Sequence, residues 1–375
     1  MINYLSLPQK YKTMKILIAC DKMKGTFSSK QLGEMIENAI KEKYSDSETE
    51  VLQVSDGGDG FIESLSWRNN YSRWEFLSVN AAQRKIQSKY LYNIYNHTAI
   101  LESALTLGIS KLAVKEKNIL QNNSYGLGHD IKRVIEVRHP QKIVVGIGGT
   151  STNDLFLGAA SALGFKFLNK DGNEVAPLPK NFLNIKQIIP TTEYTDKEFV
   201  AAVDVQNPLL GNLGATKIYA AQKGASPEDI DYLEDALAHI AMIIKADLGV
   251  DLTQINGAGA GGGIGGGMAA FLNAKIISGA DFILDNLEID KKISESDLVI
   301  TGEGSFDSQS LMGKITGNII QRCQKQNKNT LIVSGLFDGT PLPSNCSITA
   351  LFEQKPDTKN AKELTEALIK EKITI

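Results

Sequence analysis

What most limits the fold of this chain is a unit that recurs along it: a short β-branched apolar run, a polar loop carrying an acid, then a helical repeat. Lys-Ile-Leu-Ile-Ala at 15–19 leads into Cys20-Asp21-Lys22-Met23-Lys24-Gly25. Ser28 and Gln31 then have capping-box spacing, and Leu32, Met35, Ile36, Ala39 and Ile40 repeat at helical intervals. Residues 51–54 precede Asp56-Gly57-Gly58-Asp59, residues 142–147 precede Gly148-Gly149-Thr150-Ser151-Thr152-Asn153, and residues 199–203 precede Asp204 and Asn207. Leu298, Val299 and Ile300 precede Gly302, Glu303, Gly304 and Asp307. Strand, loop, helix in repetition predicts an α/β protein with a parallel sheet, and ligands in such sheets collect beyond the carboxyl ends of the strands.

The rhythm breaks in the middle. Residues 89–94 and 98–101 alternate as antiparallel strands do, whereas the last third returns to the α/β pattern. The chain therefore predicts two domains with a cleft between them. Residues 1–77 and 286–375 form a discontinuous Rossmann-like domain, and 78–285 form an inserted mixed α/β domain, with 126–165 assignable to either. A length of 375 residues suits two such units. Residues 1–13 precede the first strand and read as a frayed extension.

Composition excludes several classes. With 40 basic and 43 acidic residues the net charge is -3, which gives no global attraction to nucleic acid or to an acidic membrane. Three cysteines without paired spacing, no apolar run of membrane-spanning length and a start lacking a signal-peptide core predict a cytoplasmic protein. The four histidines have no metal-ligand spacing.

The loops supply the chemistry. Glu303, Asp307, Gln309 and Lys314 suit a phosphate and a divalent cation, and suit a capped helix start about equally well. Gly313-Lys314 is not a Walker A loop, because position 308 is serine and isoleucine follows the lysine. Gly57 and Gly58 allow close backbone approach to a ligand, with Asp56 and Asp59 as cation ligands, or form a tight turn alone. Freed amides at Gly148 and Gly149 followed by Thr150 and Thr152 form a natural anion site, while Thr152, Asn153 and Asp154 are also ordinary helix caps. The glycine run at 256–267 contains Gly-x-Gly-x-x-Gly at Gly257, Gly259 and Gly262, a match that arises easily in so biased a segment. Close backbone approach or a hinge explains it better than a flexible tether.

Together, 15–26, Asp56-Gly57-Gly58, 146–154, 204–209, Gly214-Ala215-Thr216 with Gln222-Lys223-Gly224, 257–265 and 301–314 resemble the glycerate kinase type-1 family, in that family's order and across nearly the whole chain. Cys20 replaces the family's usual proline and Lys22 its serine. The resemblance implies ATP-dependent phosphorylation of D-glycerate with Mg2+, and favours 2-phosphoglycerate as product. On this reading Asp21, Lys24, Asp204, Glu303 and Asp307 are catalytic, with Asp21 or Asp204 as base. Asp56, Glu303 and Asp307 carry the metal. Gly57, Gly58, Gly148, Gly149, Thr150, Thr152, Asn153, Asn207, Lys223, Gly257, Gly259, Gln309 and Lys314 bind substrate or nucleotide. The sequence does not separate a monomer from a homodimer. Two other readings stand beside it: a nicotinamide-dependent oxidoreductase of a small hydroxy acid, which lacks a strand before Gly257, and a non-catalytic sugar-acid-binding module, which would not require so many acid-bearing strand ends.

Overall fold

A computed structural model describes residues 13–23, 25–68, 70–311, 313–356 and 360–375. Lys24 and most of the expected N-terminal extension lie outside the described residues. In chain order the strands are β1 (Lys15–Ile18), β2 (Glu48–Val51), β3 (Ser72–Val79), β4 (Lys85–Asn93), β5 (Thr98–Glu102), β6 (Lys142–Ile147), β7 (Lys166–Leu168), β8 (Gln187–Ile189), β9 (Glu198–Val203), β10 (Lys275–Ser278), β11 (Leu298–Phe306), β12 (Asn329–Phe337) and β13 (Cys346–Ala350). The chain divides into two compact units, Met1–Val54 with Glu288–Ile375, and Ser55–Leu287.

The first unit carries a parallel sheet in the order β13-β12-β11-β1-β2. The register sets Ile16 beside Leu298 and Ile18 beside Ile300. Ile18 and Ile300 are fully buried, as parallel strands covered on both faces require. Helix Ser29–Lys43 begins at the predicted capping box: Ser28 Oγ accepts from Gln31 N at 3.2 Å, and Gln31 Oε1 accepts from Ser28 N at 3.0 Å. Its Leu32, Ile36 and Ile40 are fully buried and join the core of Ile18, Ile300 and Val333. Each such side chain contributes about 1.5–3 kcal/mol of burial.

The second unit carries a mixed sheet in the order β10-β9-β6-β5-β4-β3. Strands β10, β9, β6 and β5 run parallel, and β4 and β3 continue it antiparallel. Helix Pro227–Leu248 starts from Ser226, whose side chain accepts from Asp229 N at 3.1 Å, and buries Leu233, Leu237, Ile240 and Ile244.

Two boundary expectations change. The cut predicted after residue 77 falls after residue 54, because β3 pairs with β4 from Ser72↔Tyr92 to Val79↔Lys85 and Phe61 stacks on Phe282 with centroids 5.6 Å apart. Residues 126–165 fall within the second unit, since β6 lies between β5 and β9.

Candidate active site

At the carboxyl end of the first sheet, ladder bonds continue past β1: Ala19 N donates to Ile300 O at 2.8 Å and Asp21 N to Gly302 O at 2.7 Å. Asp21 is thereby fixed alongside the residue that precedes Glu303. The sequence reading broke the strand at Gly302 and Gly304, but β11 runs on to Phe306, pairing Gly302 with Val333 and Glu303 with Ser334. A methyl group on Gly302 would lie 1.9 Å from Val333 O, and one on Gly335 would lie 2.4 Å from Gly304 O. These glycines let two strands approach; they do not end one. Glu303 is therefore a strand residue, not a loop residue.

Glu303 is 6% exposed. Its Oε2 lies 3.7 Å from Lys314 Nζ, and its Oε1 is buried without a hydrogen-bond partner. Burial pushes this carboxyl above the ordinary range; the Lys314 ammonium and the Ser310 and Thr316 hydroxyls oppose the shift and the Asp307 charge adds to it. Asp307 Oδ1 accepts from Gln309 N at 2.8 Å and Ser310 N at 3.1 Å, capping the turn Ser308–Leu311. That is the capping role weighed for this loop. Gln309 is exposed and Lys314 is the N-cap of helix Ile315–Lys325.

In the second unit the strand-end loops interlock through glycine. Gly57 has φ +117°, and Gly58 N donates to Asp56 Oδ1 at 3.2 Å. A methyl on Gly148 would sit 2.6 Å from Gly58 Cα and 3.5 Å from Asp204 Oδ2; one on Gly149 would sit 3.2 Å from Asp59 Oδ2. The structure thus brings Asp56, Gly57, Gly58, Gly148, Gly149 and Asp204 to one edge of the sheet. Glu102, which is not among the residues expected in the site, holds this edge in shape. Its Oε1 accepts from Gly60 N at 3.2 Å and its Oε2 from Ile62 N at 3.0 Å. Burial raises its pKa to about 7 against the pull of those two amides. Its position as an acid closing β5 was the available signal.

Other predicted binding residues prove to be occupied within the fold. Thr150 Oγ1 donates to Gly261 O at 2.9 Å, and Asn153 Nδ2 to Thr216 Oγ1 at 2.9 Å. Lys223, only 4% exposed, donates from Nζ to Thr152 O at 2.6 Å, and burial lowers its pKa to about 7. Asn207 donates to Leu213 O at 2.7 Å and accepts from Tyr219 at 2.9 Å. Gly257 N and Gly259 N donate to Gln206 O and Asn207 O at 3.3 and 3.0 Å. A methyl on Gly259 would meet Pro208 O at 2.2 Å. Thr152 O, Asn153 Nδ2, Asn207, Lys223, Gly257 and Gly259 thus hold loop to loop, whereas Thr152 Oγ1 and Asn153 Oδ1 are buried without a hydrogen-bond partner. The physical reason is that hydroxyls, amides and glycines serve a neighbouring loop as well as a substrate. Asp154 does the same, accepting from Ser124 N and Oγ at 2.7 Å each and from Gly158 N at 3.1 Å.

Among the described residues, no group of three or more His, Cys, Asp or Glu side chains is arranged to hold a metal ion. The expected set of Asp56, Glu303 and Asp307 is thus not a ready-made cage. Glu303, with one buried oxygen lacking a partner, nevertheless fits a cation that takes one or two carboxylates and completes its shell from substrate and water. No helix among the described residues is long and apolar enough to cross a membrane.

The sequence model described as the glycerate kinase family matches residues 16–373. The Escherichia coli K12 protein named glycerate 2-kinase is 32% identical over 345 residues, covering 90% of each chain. The glycerate kinase of Neisseria meningitidis serogroup B is 33% identical over 343 residues, again covering 90% of each. Among solved structures, the crystal structure of a Salmonella typhimurium LT2 protein assigned as glycerate kinase 2 superposes with a TM-score of 0.76 at 27% identity, over 96% of this chain and 97% of that one.

Proposed function

The chain belongs to the glycerate kinase family, an enzyme family that phosphorylates glycerate, and from that premise we propose the finer reaction: transfer of a phosphoryl group from ATP, assisted by Mg2+, to a hydroxyl of D-glycerate. The favoured product is 2-phosphoglycerate. Support for the acceptor position comes from the name glycerate 2-kinase carried by one relative.

The observation that carries the mechanism is Glu303, a nearly buried carboxylate with one oxygen unpartnered and an ammonium 3.7 Å from the other. Phosphoryl transfer asks a protein chiefly for positioning and charge compensation. Glu303 and Asp307 would hold Mg2+, which when bound offsets phosphate charge. Lys314 neutralises an anionic oxygen of nucleotide or glycerate, and Lys24 is assigned the same work. Gly148 and Gly149 let their loop pack directly against Gly58 and Asp59, beside Asp204, where a side chain would clash. Asp204 or Asp21, each following a parallel strand, takes the proton of the acceptor hydroxyl.

Incubation with ATP, Mg2+ and D-glycerate tests the proposal. ADP release that depends on glycerate supports it, and phosphorus NMR of the product identifies the phosphorylated hydroxyl. ATP stability in the presence of glycerate, or NADH turnover with a hydroxy acid, overturns it.

A further inference from the structure

Lys223 ends the short helical turn Ala221–Lys223 and is followed by Gly224 at φ +97°. Its amino group reaches inward to Thr152 O, and a methyl group on Gly262 would lie 2.8 Å from Nζ and 2.0 Å from that same carbonyl. Gly261, Gly262 and Gly263 follow one another at φ 64°, 74° and 90°, a left-handed turn that L side chains rarely adopt. The turn is tied to the 150–155 segment on both sides, by Thr150 Oγ1 to Gly261 O at 2.9 Å and Leu155 N to Gly262 O at 3.2 Å. Lys223 Nζ therefore sits at the junction of the two segments. An aliphatic side chain of equal length would fill the space without desolvating a polar head, so the amino group itself must do the holding.

We infer that Lys223 is a positioning residue for phosphoryl transfer: from beneath, it locks the 148–154 loop onto the left-handed glycine turn and so keeps the Gly148–Gly149 pair beside Asp204 in shape. The kinetic part of this inference rests on the phosphotransfer reading above. The conformational part does not, and the experiment separates them.

Hydrogen exchange is measured on the full chain as wild type, Lys223→Met and Lys223→Ala. In both variants, amides of 148–155 and 257–264 exchange about tenfold faster or more, while those of β7 and β8 keep their rates. If glycerate-dependent ADP formation is present in the wild type, both variants lose kcat on the order of a hundredfold. Propylamine restores part of the Lys223→Ala rate in a saturable manner and leaves Lys223→Met unchanged, a discrimination that general loss of packing does not produce. Should either variant fail to fold, Gly262→Ala presses on Nζ and Thr152 O with the lysine retained, and is expected to accelerate the same amides. Unchanged exchange at 148–155 overturns the inference whatever the activity. Faster exchange with wild-type kcat, or without amine rescue, overturns its catalytic part, and a wild type inert toward glycerate overturns the phosphotransfer reading alone.

Discussion

Glu303 Oε2 stands 3.7 Å from Lys314 Nζ, while Oε1 of the same carboxylate is buried with no hydrogen-bond partner. A half-satisfied buried carboxylate costs stability unless something arrives to complete it. Glu303→Gln removes the charge and keeps the shape. Its melting temperature is expected to match or exceed that of wild type, and kcat for glycerate to fall on the order of a hundredfold. Loss of both together would mark Glu303 as structural.

Asp204 and Asp21 compete for the role of base. Replacing the true base with asparagine is expected to lower kcat by roughly a hundredfold or more, with a smaller effect at the other position. Steady-state kinetics on the two folded variants decides between them, and wild-type turnover in both removes the assignment.

Glu102 makes stability depend on pH. Its carboxyl is raised by burial from 4.5 to about 7, so between those values the folded chain holds a proton that the unfolded chain has released. Its contribution is complete below about 4.5 and is lost as pH rises to about 7, amounting to a few kcal/mol at most. Urea midpoints measured across this range should fall more steeply for wild type than for Glu102→Gln, which keeps an acceptor for the loop amides.

Two glycines of one strand separate packing from flexibility. A methyl at Gly302 meets Val333 O at 1.9 Å, whereas one at Gly304 meets nothing closer than Met23 Cα at 3.6 Å. Gly302→Ala is expected to destabilise by about 1–3 kcal/mol or more, and Gly304→Ala by roughly 0.5 kcal/mol or less. Denaturant titration of the two variants checks the difference.

How legible each part was depended on the range of the interaction that shaped it. Ser28 with Gln31 was readable because a cap and its partner lie within one turn. Asp21 and Asp204 were readable as acids just past strand ends because a β-branched run followed by a polar break is itself local. Gly302 was misread because its partner carbonyl, Val333 O, belongs to another strand. The internal partners of Lys223 and Asn207 were not readable, because Thr152 O, Leu213 O and Tyr219 become their neighbours only on folding.

The order of amino acids alone determined the alternation of strand, loop and helix, the caps and the acids at strand ends, since these follow from periodicity and hydrogen bonding over a few residues. Tertiary structure alone decided which polar groups are buried and which backbone pairs approach closely. A hydroxyl or amide in a loop has the same chemistry whether it meets a ligand or another loop, and only the packing of distant segments chooses between them.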